Sequence, residues 1–167
     1  MCSSDLLYAR KLFGTVFALP SDPTARKFAG AIVLAFLPAA VMGVLLHDYI
    51  KNVLFSPPVV AGALIVGGFA ILAIERLKPA PRVFATEQLS AIEALKIGAL
   101  QCLALVPGVS RSGATIMGAL LLGVERKAAA EFSFFLAIPT LLGAAVYDLW
   151  KNRDTISGDG KIGRAHV

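Results

Sequence analysis

Charged side chains are scarce in this sequence. Of its 167 residues, 16% are charged and 57% are hydrophobic, and the mean hydropathy is +0.74. This composition excludes an ordinary soluble domain and predicts an integral membrane protein. In a soluble protein the formal net charge of +5 would suggest a nucleic-acid partner. Here the basic residues lie between apolar segments, where membrane topology accounts for them, so nucleic-acid binding is not expected.

Cysteine and histidine are also rare, with two residues of each. Cys102 lies in an apolar segment and Cys2 lies near the start of the chain, so the sequence has neither a disulfide framework nor metal-ligand spacing. His47 stands beside Asp48 and could form a catalytic pair with it. A single histidine at the end of an apolar run is more often an interfacial residue, and we expect that role for His47.

Two long uncharged runs and a third, mainly apolar stretch predict membrane-spanning helices. Residues 28–46 and 53–74 contain no charged residue, and a third apolar stretch extends over about 128–150. About 20 apolar residues suffice to cross the hydrocarbon core as a helix. Between residue 7 and Lys27 the sequence is mixed, and a turn signal at residues 20–23 predicts a helix end followed by an exposed loop.

A fourth run, residues 97–124, contains a single charged residue, Arg111, with fourteen uncharged residues before it and thirteen after. Pro107-Gly108 would break a continuous helix at this point. Each arm would rise only about 20 Å, which is short of the roughly 30 Å hydrocarbon core. We therefore predict two half-helices that meet at mid-depth, as a re-entrant hairpin with both ends on one side of the membrane.

The residues around Arg111 are of the types that bind phosphate oxygens in proteins. A guanidinium keeps its charge and costs between about 3 and 17 kcal/mol in hydrocarbon, so a partner is needed. Hydroxyl groups and free amides at a helix start, together with arginine, bind anions. The alternative is a loop in which Arg111 points to water. The predicted anion site consists of Gly108, Ser110, Arg111, Ser112, Gly113 and Thr115.

Basic residues predict the orientation. If residues 97–124 form a hairpin, nine of the counted Lys and Arg residues lie on one side and Lys51, Lys151 and Arg153 lie on the other. The positive-inside rule then places the group of nine in the cytoplasm. A full crossing by residues 97–124 would split the basic clusters, so the charge count independently favours the hairpin. The nine are Arg10, Lys11, Arg26, Lys27, Arg76, Lys78, Arg82, Arg126 and Lys127.

Glu131 lies one turn inside the third predicted span and is a candidate acidic partner of Arg111. It could neutralise that guanidinium or bind a cation. It also follows Lys127 by four residues, which suits a simple ion pair on a helix surface. Glu75, Glu87 and Glu93 are dispersed along the chain and are expected to be solvated.

The two ends of the chain are set apart from the rest. Residues 1–6 and 161–167 look like translated sequencing-adapter read-through, which leaves residues 7–160 as a partial membrane domain. The natural protein is therefore expected to be longer at both ends.

At its central motif the chain resembles the bacterial undecaprenyl-diphosphate phosphatase family, whose members are known for bacitracin resistance. The resemblance extends over about residues 8–153. It is carried by residues 101–115, which read QCLALVPGVSRSGAT, and by residues 131–134 with 137–139, 47–51 and 75–79. It implies an all-α integral membrane protein, a multi-span helical bundle whose re-entrant hairpin is half of an inverted-repeat fold.

The resemblance also implies a function. The reaction would be hydrolysis of undecaprenyl diphosphate to the monophosphate, which recycles the lipid carrier for peptidoglycan synthesis, in the bacterial inner membrane with a cavity open to the periplasm. Ser110, Arg111 and Thr115 match the catalytic residues of the family's second motif. Gly108, Ser112 and Gly113 would bind diphosphate. A homodimer is a further expectation.

One part of the family pattern has no counterpart in the chain. The family's Glu-rich first hairpin, which ends in a Ser-Ser-x-Gly-His segment, is missing, and the resemblance assigns to it the ligands of Mg²⁺ or Ca²⁺. No metal ligand set is expected within the present residues, and the chain alone is expected to be inactive. A transporter or flippase of a polyprenyl phosphate lipid is the alternative function, because helix N-termini also face anionic substrates in transporters.

Overall fold

The structure is a computed structural model that describes residues 22–151, except for the side chains of residues 51 and 52, and these residues form a helical bundle. Residues 1–6 and 161–167, set apart above, lie outside the described part. The shorter elements are a π-helical turn at Ile50–Leu54 and 3₁₀ turns at Thr86–Gln88 and Cys102–Leu105. Between residues 22 and 151 the only strand-like pairing is an isolated bridge from Val83 to Val124. The α-helices are α1 (Pro23–Tyr49), α2 (Pro57–Leu77), α3 (Ala91–Gln101), α4 (Arg111–Leu121) and α5 (Arg126–Lys151).

Helices α1, α2 and α5 are long and apolar enough to cross a membrane. They coincide with the three predicted spans, which confirms an all-α membrane protein. Helix α2 has no buried residue, and its exposed side chains include Leu64, Val66 and Phe69. In water such a surface would be unfavourable, whereas hydrocarbon is its natural solvent.

The prediction of a loop before the first span was wrong for residues 23–27, which are helical. Helix α1 begins at Pro23, so Arg26 and Lys27 belong to its first turns. Asp22 caps the helix, because its carboxylate accepts a hydrogen bond from Thr24 N at 2.8 Å. Proline at the first helical position has no N–H to leave unpaired, so the Asp-Pro pair starts a helix where the proline alone suggested a turn.

Helices α3 and α4 form the predicted hairpin, and the chain segments at its two feet lie together. Arg82 joins them: its Nε donates to Leu122 O at 3.0 Å, and its Nη2 donates to Glu93 Oε1 at 3.2 Å. Glu125 N also donates to Val83 O at 2.7 Å. Both ends of the hairpin therefore lie at the same end of the bundle, as a re-entrant segment requires.

Ion pairs identify the two ends of the bundle. Glu75, at the end of α2, pairs with Arg126 at the start of α5, beside the feet of the hairpin. At the opposite end, Asp48 pairs with Lys151, and the ring of His47 contacts that of Tyr147 with centroids 5.1 Å apart. The charged groups thus lie at the ends of the long helices, where a bilayer has its aqueous interfaces.

The core lies between α1 and the hairpin, with α5 closing it. Gly98 of α3 packs directly on Ala35 of α1, and both residues are buried. Phe28 and Phe135 meet edge to face with ring centroids 5.1 Å apart, which joins α1 to α5. Small residues at helix contacts allow close approach of backbones, which is how helices associate where apolar burial gives little driving force.

The hairpin predicts where its feet can be labelled. In a variant with both native cysteines replaced by alanine, Ala91→Cys and Lys127→Cys should react with a membrane-impermeant maleimide from the same side. Leu149→Cys, at the far end of α5, should react from the other side. Labelling of positions 91 and 127 from opposite sides would contradict the hairpin.

The contact at Gly98 predicts a large difference between two glycine substitutions. A Cβ at Gly98 would overlap the carbonyl of Ala35, whose carbon would be 2.7 Å away, whereas a Cβ at Gly30 meets nothing within 4 Å. Gly98→Ala should lower the free energy of unfolding in detergent by about 1–3 kcal/mol or more. The matched control Gly30→Ala should be neutral or stabilising by up to about 1 kcal/mol, because alanine is the better helix former. Equal effects at the two sites would show that the contact is not rigid.

Candidate functional site

The site forms where α3 ends and α4 begins. After Gln101 the chain tightens into the 3₁₀ turn, and Pro107-Gly108 then reverses its direction. Gly108 has a φ of 96°, and a Cβ there would lie 2.6 Å from Val60 O. Glycine is required for both reasons, since other residues rarely adopt this φ and the backbone of α2 leaves no room. The tip of the hairpin is therefore held against α2.

Ser110 caps α4 and brings the hydroxyl groups of the motif together. Its Oγ accepts a hydrogen bond from Gly113 N at 3.1 Å and lies 3.3 Å from Ser112 Oγ. Both serines are exposed. Helix geometry leaves the N–H groups of Arg111 and Ser112 without an intrahelical partner, and the helix dipole makes this end positive. The start of α4 thus has the groups that an anion requires.

Arg111 is the first residue of α4 and lines a cavity of about 830 Å³. Among the described side chains, its Nη1 is one of two buried nitrogen or oxygen atoms without a hydrogen-bond partner. Helix α4 has eleven residues, so Arg111 lies about 16 Å from the feet of the hairpin, roughly half the hydrocarbon thickness. A guanidinium at this depth requires compensation by an anion or by equivalent dipoles.

The cavity wall is apolar along most of its length and polar at two places. One polar part contains Arg111, Gln101 and Thr140. The other lies toward the far end of the bundle and contains His47, Tyr147 and Asp148. The apolar part comes mainly from α1, the 3₁₀ turn and α5, and includes Phe36, Ala39, Val44, Ala104, Leu105, Leu142, Val146 and Trp150.

Thr115 lies one turn beyond Arg111, away from the cavity wall. It is 1% exposed, and its Oγ1 lies 2.6 Å from Ser133 Oγ and donates to Arg111 O at 3.0 Å or Ser112 O at 3.1 Å. A hydroxyl has one proton, so Ser133 is the donor when Thr115 donates to the backbone. Thr115 thereby fixes the first turn of α4 against α5. Its predicted catalytic role stays a prediction.

Glu131 lies closer to the feet of the hairpin than to its tip. It is the sixth residue of α5 and accepts a hydrogen bond from Thr86 Oγ1 at 3.2 Å. Thr86 belongs to the segment that precedes α3. Glu131 as the acidic partner of Arg111 stays a prediction. His47 and Asp48 lie at the end of α1, and His47 also forms part of the cavity wall.

The structure adds two residues to which the sequence assigned no role, Gln101 and Thr140. Gln101 Nε2 donates to Thr140 Oγ1 at 3.1 Å across the cavity wall, and Gln101 is 2% exposed. Each is a polar residue within a mainly apolar segment. This was the sequence signal for a role, because polar side chains within a membrane segment mark functional or structural contacts.

The described residues do not fit a divalent cation. In residues 22–151 no group of three or more His, Cys, Asp or Glu side chains is close enough to share a metal ion. Mg²⁺ and Ca²⁺ require several oxygen ligands, mostly carboxylates. The described part of the cavity wall therefore contains no such ligand set, and the cation stays a prediction.

Comparison with known proteins places the chain in a family. Residues 2–165 match the family described as bacitracin resistance protein BacA. Undecaprenyl-diphosphatase from Paracoccus denitrificans is 56% identical over 151 residues, which cover 90% of this chain and 57% of the relative. The protein of the same name from Parvibaculum lavamentivorans is 57% identical over 154 residues, covering 92% of this chain and 58% of the relative. Undecaprenyl-diphosphatase 1 from Agrobacterium fabrum is 52% identical over 155 residues, with coverage of 92% and 58%.

The chain thus spans slightly less than three fifths of the length of these curated relatives. The family match extends over nearly the whole chain and includes the three long helices, the hairpin and the motif around Arg111. With more than half of the aligned residues identical in each of these relatives, the chain belongs to the bacitracin resistance protein BacA family.

Proposed function

We propose that the protein hydrolyses undecaprenyl diphosphate to undecaprenyl phosphate and phosphate, the activity for which its relatives are named. The observation that carries the proposal is the partnerless, buried Nη1 of Arg111 in the wall of a largely apolar cavity. An isoprenoid diphosphate combines an anion with a long apolar chain. The cavity has a cationic group for the anion and an apolar wall for the long chain.

The residues at the start of α4 support one part of the reaction. Phosphoryl transfer develops charge on the phosphoryl oxygens, and preorganised donors stabilise that charge. Arg111, the N–H groups of Arg111 and Ser112, and the hydroxyls of Ser110 and Ser112 are such donors. A divalent cation, with ligands outside residues 22–151, would add further neutralisation of the diphosphate. The described residues supply the binding and orientation of the anion.

The proposed location is the bacterial inner membrane, with the cavity facing the periplasm. The basic groups Arg26, Lys27, Arg76, Lys78, Arg126 and Lys127 lie at the end of the bundle that contains the hairpin feet, which the positive-inside rule assigns to the cytoplasm. The cavity extends from Arg111 toward His47, Tyr147 and Trp150 at the opposite end. A lipid headgroup in the periplasmic leaflet would enter from that end.

Arg111→Lys tests the geometry of the proposed anion site. In a full-length relative, the change at the position that aligns with Arg111 should lower the rate of phosphate release about 10²-fold while the protein still inserts. An ammonium ion is a point charge and cannot replace the planar, bidentate guanidinium on a diphosphate. Turnover close to that of the wild type would refute the bidentate contact.

The serines provide a graded comparison in the same assay. Ser110→Ala should lower activity about tenfold, whereas Ser112→Ala should cost less, because Ser110 is expected to be the closer ligand. Ser110 also caps α4, so the helix itself loses about 1 kcal/mol in Ser110→Ala. Ser110→Asn is the matched control, since it keeps a capping side chain without the hydroxyl. If Ser110→Asn is fully active, Ser110 acts as a cap and not as a ligand.

We expect the chain alone to release no phosphate. Its site is cationic and hydroxylic, and residues 22–151 contain no cluster of metal-ligating side chains. The measurement is phosphate release from undecaprenyl diphosphate with Mg²⁺ or Ca²⁺ added, for the purified chain and after co-expression with the N-terminal part of the Paracoccus denitrificans relative. Activity only after co-expression supports a site shared with that part. Activity of the chain alone would show that all catalytic groups lie within it.

Measuring phosphate release together with lipid binding distinguishes hydrolysis from transport. Tight binding of undecaprenyl diphosphate by a full-length relative without phosphate release would favour a flippase. No described contact favours that alternative.

A further inference from the structure

Gln101 is an uncharged polar residue of the cavity wall near Arg111; it is the first residue of the matching stretch 101–115, and the proposed reaction assigns it no role. It is the last residue of α3 and is 2% exposed. Its partner Thr140 lies fourteen residues beyond the first residue of α5, about 21 Å along that helix. Gln101 and Thr140 therefore meet near the middle of the span, and both line the cavity with Arg111.

Thr140 fixes the orientation of the Gln101 amide. Thr140 Oγ1 donates its single proton to Leu136 O at 2.7 Å. It can then only accept from Gln101, so the Nε2 of Gln101 faces Thr140 at 3.1 Å. The amide cannot exchange its nitrogen and oxygen without losing this bond. Oε1 is left as a buried acceptor, and within residues 22–151 it has no hydrogen-bond partner.

The two unpartnered groups of the cavity wall are complementary. Arg111 Nη1 is a donor without an acceptor, and Gln101 Oε1 is an acceptor without a donor. Buried polar groups normally find partners, so both atoms call for a ligand that offers an acceptor and a donor. A fully deprotonated phosphate has acceptors only and would face Oε1 with lone pairs. A phosphate group that retains one proton has both.

We propose that Gln101 selects a singly protonated terminal phosphate, accepting the hydrogen bond of its P–OH group while Arg111 donates to a deprotonated oxygen. This inference rests on the proposed function, because it concerns the same anion site. It adds a specificity-determining residue to that site and defines the ionic form of the phosphate that the site binds. No bond is formed or broken in this step, and the phosphate proton stays on its oxygen.

Other charged or titratable groups of the cavity wall also respond to pH. They are His47 from α1, Arg111 from α4, and Tyr147 and Asp148 from α5; among the described side chains, the lining residues of α3 and of the turn after α1 are uncharged. A simple pH titration of binding would mix the contribution of His47 with that of the ligand. The test therefore compares two ligands of equal charge at one pH.

Farnesyl phosphate and its methyl ester, farnesyl methyl phosphate, are the two probes. Near pH 5, below the second phosphate pKa of about 6, the monoester is mostly a monoanion with one P–OH group. The diester is a monoanion without one. Binding of each to the chain in lipid nanodiscs is measured by calorimetry. We expect the monoester to bind about tenfold more tightly, as for one hydrogen bond to a buried acceptor.

Gln101→Leu separates the hydrogen bond from the size of the added methyl group. If Oε1 accepts a hydrogen bond from the P–OH group, the variant should bind the two probes within about twofold of each other. Gln101→Met, which keeps the length of the side chain, is the second variant if Gln101→Leu fails to fold. A tenfold preference that persists in a folded variant would assign the preference to the methyl group and overturn the inference, as would equal affinities in the wild type.

Arg111→Ala distinguishes failure of the inference from failure of the proposed function. If the wild type binds neither probe, or if Arg111→Ala binds both as well as the wild type, the anion site itself is wrong. If binding depends on Arg111 but the two probes bind equally, only the role of Gln101 is wrong.

Discussion

A guanidinium held about halfway between the two ends of the bundle is the constraint on which the rest of the structure depends. Arg111 remains charged at this depth, and hydrocarbon does not tolerate that charge without an anion or equivalent dipoles. The chain brings Arg111 there on a helix of only eleven residues, which starts at the tip of a hairpin and not at the membrane surface. Three features position the start of this helix: the turn at Pro107-Gly108, the Ser110 cap and the contact of Gly108 with α2. From this helix start the largely apolar cavity extends toward His47 and Tyr147 at the opposite end of the bundle.

The fold keeps the hairpin in place by two different kinds of contact. At the feet, Arg82 joins Leu122 and Glu93 by polar bonds. Burial alone would raise the pKa of Glu93, but hydrogen bonds from Ser90 and the charge of Arg82 outweigh it and lower that pKa below its usual value. Deeper in the bundle the hairpin is held by close packing of Gly98 on Ala35 and by the hydrogen-bonded hydroxyl pair of Thr115 and Ser133. Polar and ionic contacts are therefore used where water is near, and small residues with paired hydroxyls where it is not.

The spans and the hairpin could be predicted from the sequence because charge is so unevenly distributed. Uncharged runs indicated the long helices, and a single arginine between two half-length runs indicated a break at mid-depth. The start of α1 was missed because Pro23 was interpreted as part of a turn, while Asp22 makes it the first residue of a helix. The Gln101–Thr140 bond could not be predicted, since it joins residues 39 positions apart and depends on how α3 and α5 pack. For the same reason the sequence could not show that Thr115 faces Ser133, or that Glu131 lies beside Thr86.

The joined feet of the hairpin bear on how the protein enters the membrane during synthesis. A spanning helix requires one of its flanks to be carried across the hydrocarbon, whereas the charged residues next to this hairpin, from Arg82 to Glu93 and from Glu125 to Lys127, lie together at one end of the bundle. Insertion of the hairpin therefore leaves both flanks on the same side of the hydrocarbon. Of its charged groups, only Arg111 has to leave the interface, and it does so at the tip of a loop whose neighbours are hydroxyls, glycine and apolar residues. The hairpin can thus join the long helices from the side on which both of its flanks lie, once α1 and α2 offer the surface on which Gly98 and Gly108 pack.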